Sequence, residues 1–96
     1  MMVGLLKLHI LLPGCTSLKQ KRSRIKPLLA RLHREFNVSA AEMEHLDAWS
    51  EALIACALVS NDPAHTQRAL QQLVHWLEAN WPDIEIVQDQ IELIGG

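Results

Sequence analysis

The feature that most constrains the fold is the order in which two hydrophobic periodicities follow one another along the chain. Apolar residues at every second position are typical of a β-strand, and apolar residues three or four positions apart are typical of a helix lying on a core. In this 96-residue chain the patterns follow the order βαββαβ. With right-handed crossovers, that order predicts a ferredoxin-like α+β fold: a four-stranded antiparallel sheet with two helices on one face.

The chain is short enough to form one domain over residues 1–96, with a single modest core. The connection between the second and third strands is predicted at Glu44–Trp49, and a β-bulge is predicted between Ile86 and Val87, where the apolar phase of the last strand shifts. The predicted elements are strands at Val3–Leu12, Phe36–Met43, Glu51–Ser60 and Ile84–Ile94, a first helix at Ser17–Phe36, and a second helix that begins at Asp62 and Pro63 and ends at Trp81.

One face of the predicted sheet is left without a cover, because both helices lie on the other. The first strand places a mixed set of side chains on this open face: Val3, Leu5, Lys7, His9 and Leu11. Apolar surface of this kind is often covered by a partner. We therefore expect a homodimer that packs through the open face or across an edge strand.

The first helix combines a clear start with one disruptive residue. Ser17 followed by Gln20 fits a capping box, and the apolar residues from Leu18 to Phe36 fall on one arc roughly 100° wide. Pro27 removes one backbone donor and crowds the preceding turn. We expect either a kink or a short helix that restarts at Pro27.

The same helix concentrates the positive charge of the chain. Residues 1–34 carry eight basic and no acidic side chains, whereas residues 35–96 carry one basic and eleven acidic side chains. One interpretation is a solvated helix face; the other is a site for phosphate, formed by free N–H groups at the helix start and nearby cations. The candidate anion- or nucleic-acid-binding residues are Lys19, Lys21, Arg22, Arg24, Lys26 and Arg31.

A second candidate site is an acid–imidazole cluster after the predicted second strand, formed by Glu42, Glu44, His45 and Asp47. Such groups are used for general acid–base catalysis or metal binding. The alternative, which we favour, is a solvated loop with Asp47 capping a turn. No metal or cofactor is expected, and catalysis is left undecided, with the balance against an enzyme.

Several function classes are disfavoured by absent patterns. The apolar runs are too short and too interrupted for a transmembrane helix, and no signal peptide is expected, so the protein is predicted to be cytoplasmic. Cys15 and Cys56 fit neither a disulfide framework nor a metal site; Cys15 is interpreted as a loop residue rather than a reactive thiol, and Cys56 as a core residue. Glycine-rich phosphate loops and nucleophile elbows do not occur.

Four motifs resemble the YlxP-like family of small bacterial proteins, over essentially the whole chain. They are Ser17-Leu18-Lys19-x-Lys21-Arg22, Phe36-Asn37-Val38-Ser39 with Glu42, His45-x-Asp47-x-Trp49, and Ser60-Asn61-Asp62. The resemblance implies a ferredoxin-like fold and brings no established activity. Some family members are encoded among translation and ribosome-maturation genes, an association that hints at work with RNA or the ribosome.

Three hypotheses for function remain at this point. The first is a binding module that docks the basic helix on RNA or a ribosomal particle; the first and third strands have no aromatic residues, so RNA binding through the sheet is disfavoured. The second is a small enzyme or ligand sensor that uses the Glu42–Asp47 cluster. The third is a self-associating assembly protein whose oppositely charged halves pair between subunits.

Overall fold

The structure, a computed structural model, describes residues 1–44 and 47–95. Four strands and two helices follow the order βαββαβ. Their bounds are β1 at Met2–Leu11, α1 at Leu18–Phe36, β2 at Ser39–Glu44, β3 at Glu51–Ser60, α2 at Pro63–Asn80 and β4 at Glu85–Gly95.

The four strands form one sheet in the order β2-β3-β1-β4, and every neighbouring pair is antiparallel. The two chain-end strands, β1 and β4, are hydrogen-bonded to each other, and β3 lies on the other side of β1. This is the ferredoxin-like α+β arrangement that the periodicity predicts, and the prediction is confirmed.

The core lies between the sheet and the helix layer. Alternate residues of β1 and the following turn point into it, and those of β3 do the same, because successive side chains on a strand point to opposite faces. The buried residues include Leu6, Leu8, Ile10, Leu12, Ala52, Ile54, Cys56 and Leu58 from the sheet side, and Ile25, Leu28, Leu32, Leu70, Leu73, Val74 and Leu77 from the helices.

The predicted bulge in β4 is present. Ile10 is opposite Ile86 and His9 is opposite Gln88, so Val87 is an extra residue between two paired ones. The extra residue shifts the phase of the strand, which lets Ile86 and Ile91 both pack on the core although they are an odd number of positions apart.

Of the two alternatives predicted at Pro27, a kink or a restart of the helix, the restart is wrong. The helix is continuous from Leu18 to Phe36 and does not restart at the proline. Pro27 lies on the exposed side of the helix, while Ile25 and Leu28 beside it are buried. The packing of the apolar stripe on both sides therefore holds the helix together across the missing hydrogen bond.

The end of α1 agrees with the prediction, whereas the start of β2 does not. Asn37 adopts a left-handed conformation with φ of 51° and its N–H donates to the carbonyl of His33, which ends the helix. Phe36 is thus the last helical residue, and β2 begins at Ser39 instead of Phe36.

Both helix starts are capped by side chains. The Ser17 hydroxyl accepts the Gln20 N–H at 3.1 Å, while the Gln20 side chain accepts the N–H of Thr16 at 2.9 Å, one residue before the position that the capping box predicts. The Asp62 carboxylate accepts the N–H groups of Ala64 and His65, with Pro63 in the first turn as predicted.

Within the residues described, neither helix has the length and apolarity required of a membrane-spanning segment.

Candidate functional site

The outer face of α1 carries a row of exposed basic side chains. These are Lys19, Arg22, Lys26 and Arg34, and Ser23 and Ala30 lie between them on the same face. Because they are three, four and eight positions apart, their side chains project from one side of the helix, over a length of about 22 Å. Among the described residues, none forms a hydrogen bond or an ion pair with any of these four side chains. We call these four residues the basic row.

Lys21, a predicted anion-binding residue, lies in the interior. Its side chain is 2% exposed, its Nζ atom is 2.6 Å from Oε2 of Glu42, and the same nitrogen donates to the carbonyl of Ala48 at 2.8 Å. The ammonium therefore joins α1 to β2 and to the segment before β3, and is not presented to an external anion. The position was visible in the sequence, because Lys21 precedes Ile25 by four residues and Leu28 by seven, on the core face of the helix.

Arg24 is engaged with two backbone carbonyls. Its guanidinium donates to the carbonyl of Pro13 at 2.9 Å and to that of Asp83 at 2.5 Å. Pro13 precedes α1 and Asp83 follows α2, so Arg24 fixes the two loops at this end of the molecule. Its charge still contributes to the local field, but its hydrogen bonds serve the fold.

Arg31 belongs to a cluster of aromatic residues between the helices. Its Nε donates to Glu35 at 3.0 Å, and its guanidinium lies 5.3 Å from the ring centroid of Trp76, within the range of a cation–π contact. Trp76 packs edge-on against Phe36 and lies 6.1 Å from Trp81. The structure thus separates the six predicted cations into an exposed set (Lys19, Arg22 and Lys26) and an engaged set (Lys21, Arg24 and Arg31).

A depression lies beside Trp81 of this aromatic cluster, between α1 and the loop after α2. It has a volume of about 220 Å³ and is lined by Ser23, Arg24, Pro27, Trp81 and Asp83. We call it the Trp81 pocket.

Comparison with known proteins shows the family to which the chain belongs. Residues 3–91 match the model of a family described as "Protein of unknown function (DUF503)". The chain belongs to this family. It is 31% identical over 84 residues to "Uncharacterized protein YlxP" of Bacillus subtilis (strain 168), an alignment that covers 88% of this chain and 90% of that protein. The YlxP-like resemblance predicted from the motifs is thus confirmed.

A solved structure of similar fold is "De novo designed protein Foldit4". It matches with a TM-score of 0.53 and 13% sequence identity, over 100% of this chain and 99% of the designed one. At that identity the likeness concerns the fold alone.

Three of the YlxP-like motifs meet at Lys21. The lysine comes from the first motif, Glu42 from the second, and Ala48 lies inside the third. The contact of these three motifs gives Lys21 a structural role in this DUF503 protein: it joins segments that are 21 and 27 residues further along the chain.

The Glu42–Asp47 cluster is only partly within the described residues. Glu42 is paired with Lys21 and Asp47 is exposed, while His45 and the side chain of Glu44 lie outside the described part of the chain. Across residues 1–44 and 47–95, no three His, Cys, Asp or Glu side chains are grouped to hold a metal ion.

The two cysteines are both buried and unlinked. Burial raises the pKa of the Cys56 thiol from 9.0 to about 12, so this residue stays a neutral thiol at physiological pH. The Cys15 thiol lies before α1 and donates to the carbonyl of Ser17 at 3.5 Å. Cys56 is a core residue, as its position in an apolar strand predicts.

The open face of the sheet carries the side chains of β1 that point away from the helices. His9 Nε2 lies 2.9 Å from the Glu51 carboxylate across the β1–β3 pair. Leu5, Leu53, Ala55 and Met43 line a shallow depression beside Lys7, and Met43 is 55% exposed. Trp49, two residues before β3, is 53% exposed. This face is therefore apolar in its centre, with charged residues beside it.

Proposed function

We propose that the protein is a binding module that docks the basic row of α1 on RNA, either free or within a ribosomal particle. The observation that carries the proposal is the exposed row of Lys19, Arg22, Lys26 and Arg34, whose cationic groups are not engaged by the described residues. A linear row of unengaged cations suits a linear polyanion, because each contact releases counterions condensed on the phosphates.

The charge of the rest of the molecule supports RNA binding at one surface and not over the whole protein. Residues 35–96 carry eleven acidic and one basic side chain, so phosphate is repelled from most surfaces other than α1. The inner cations of the same helix, Lys21 and Arg24, hold the neighbouring segments in place and present the row on a fixed helix. A cytoplasmic location is part of the proposal, since cellular RNA is accessible there.

The test is the salt dependence of binding to a fluorescently labelled 12-nucleotide single-stranded RNA. Four phosphate contacts predict that the association constant falls about 50-fold between 50 and 200 mM salt, from a slope of about 0.7 per contact. The triple variant Lys19→Glu/Arg22→Glu/Lys26→Glu is expected to abolish binding, while its circular dichroism spectrum stays that of the wild type.

Arg22→Glu and Arg68→Glu form a matched pair for this test. Both replace one exposed arginine on a helix and change the net charge equally, but Arg68 lies on α2 and is not part of the basic row. The proposal requires a much larger loss for Arg22→Glu. Equal losses, or binding that does not change with salt, would contradict it.

A second candidate function is self-association through the open face of the sheet, as a homodimer. The observation that favours it is the apolar centre formed by Leu5, Leu53 and the exposed side chain of Met43. The two candidates use opposite faces of the molecule, so a dimer through the sheet would present two copies of the basic row outward.

A further inference from the structure

We infer that the Trp81 pocket binds an unpaired base of the RNA whose backbone follows the basic row, an inference that rests on the proposed function. The bound RNA segment is thus single-stranded, and at least one of its bases can unstack from the neighbouring bases. The inference has three supports: an accessible aromatic face, cations placed for the adjoining phosphates, and polar groups suited to a base edge.

The aromatic support comes from an unusual placement of the large rings. Three of the four aromatic residues of the chain, Phe36, Trp76 and Trp81, gather in the helix layer, away from the open face of the sheet. Trp76 contacts both Phe36 and Arg31, whereas Trp81 is half-buried and lines the pocket together with Pro27. A purine or pyrimidine ring stacks on such a side chain whatever its sequence.

The charges next to the pocket complement the phosphates on either side of a bound base. Ser23, on the pocket wall, lies four positions after Lys19 and three before Lys26, so both lysines are its neighbours on the helix surface. Arg24 lies in the wall itself and is held there by its bonds to Pro13 and Asp83. The pocket therefore opens beside the basic row and not at a separate site.

The polar lining suits the edge of a base more than a phosphate. The Asp83 side chain is a carboxylate and Ser23 carries a hydroxyl, and both accept hydrogen bonds from amino and imino groups. A carboxylate repels a phosphate placed in the pocket itself, so the pocket takes the base while the row outside it takes the backbone.

The experiment compares two 12-nucleotide RNA backbones that carry the same charge, one with cytosine at every position and one wholly abasic, at 100 mM salt. Stacking of one base predicts that wild-type protein binds the cytosine oligomer about tenfold more tightly or better. This comparison needs no variant, so it does not depend on the folding of one. Equal binding of the two oligomers overturns the pocket and leaves the proposed phosphate contact standing.

Variants then locate the stacking ring. Trp81→Leu is expected to remove the preference for the cytosine oligomer and Trp81→Phe to retain most of it, whereas Trp49→Leu, at an exposed tryptophan near β3, leaves it unchanged. If Trp81→Leu keeps the full preference, the inference is wrong. If neither oligomer binds wild-type protein in a salt-dependent way, the proposed function fails, and the inference fails with it.

Discussion

A buried ammonium next to a carboxylate makes each of the two residues sensitive to the loss of the other. In this protein the pair is Lys21 and Glu42, 2.6 Å apart with the lysine almost fully buried. Removing one partner leaves an uncompensated charge inside the molecule, which costs more than the pair itself contributes. The effect of a substitution at residue 21 on stability therefore depends on which residue is present at position 42.

We predict that Lys21→Met lowers the free energy of unfolding by about 3 kcal/mol, because the partly buried Glu42 carboxylate loses its cation. Urea denaturation measures the loss. The matched control is Lys19→Met, an exposed lysine two residues earlier, for which the change is expected to stay within about 0.5 kcal/mol.

The double variant Lys21→Met/Glu42→Leu gives the complementary result. With both charges replaced by apolar groups, most of the lost stability is expected to return. A double variant as unstable as the sum of the two single variants would show that the pair does not couple.

Helix α1 is held by its packing rather than by its backbone alone. Pro27 leaves the Ser23 carbonyl without its helical donor, yet the helix continues to Phe36 because Ile25, Leu28 and Leu32 remain on the core. The helix therefore carries a local cost that tertiary contacts offset.

We predict that Pro27→Ala stabilises the protein by about 1–2 kcal/mol. A restored backbone hydrogen bond and relief of crowding add up to about 3 kcal/mol, from which the greater entropy of the unfolded chain without proline subtracts up to about 1 kcal/mol. Thermal and urea unfolding measure the gain, with Lys26→Ala as the neighbouring exposed control. A loss of stability in Pro27→Ala would mean that the helix depends on the proline.

At the scale of helices and strands, the sequence predicts those features that are determined by residues close together in the chain. Asp62 and Pro63 start α2 where their chemistry requires, and the shifted phase of the apolar residues locates the bulge at Val87. The start of β2 is wrongly predicted at Phe36 because this residue suits a strand as well as a helix, and the left-handed Asn37 separates the helix end from β2.

The candidate site was predictable only in part. Charge clustering pointed to α1, but the division of its cations depends on partners far along the chain, such as Asp83, which is 59 residues from Arg24. Contacts between residues so far apart in the sequence depend on the folded structure, and a local sequence pattern does not predict them. Lys21 is predicted above as an anion-binding residue, although its spacing from Ile25 and Leu28 was a signal in the sequence for the inner position that the structure shows.

At the scale of the whole molecule, the two faces of the sheet have different surroundings. Helices cover one face, and the other presents Leu5 and Leu53 at its centre. We predict that Leu53→Glu prevents self-association, because each copy would bury a carboxylate at the interface. If the wild-type protein is the proposed homodimer, sedimentation equilibrium measures the change from two chains to one.

The control for that experiment is Gln72→Glu, which adds the same charge on the exposed side of α2. It is expected to leave the mass of the wild-type assembly unchanged. A wild-type protein that sediments as a single chain at all concentrations would exclude the homodimer.

The strand order has a consequence for how the protein meets a charged partner. The sheet runs β2-β3-β1-β4; α1 contacts β2, while α2 contacts β4 at the opposite edge. Strand β4 carries Glu85, Asp89 and Glu92, all exposed, so the acidic edge lies across the sheet from the basic row. In the field of a polyanion such a molecule experiences a torque that turns α1 forward before contact. More of its collisions then begin in the productive orientation, and the association rate exceeds that of an evenly charged protein of the same net charge.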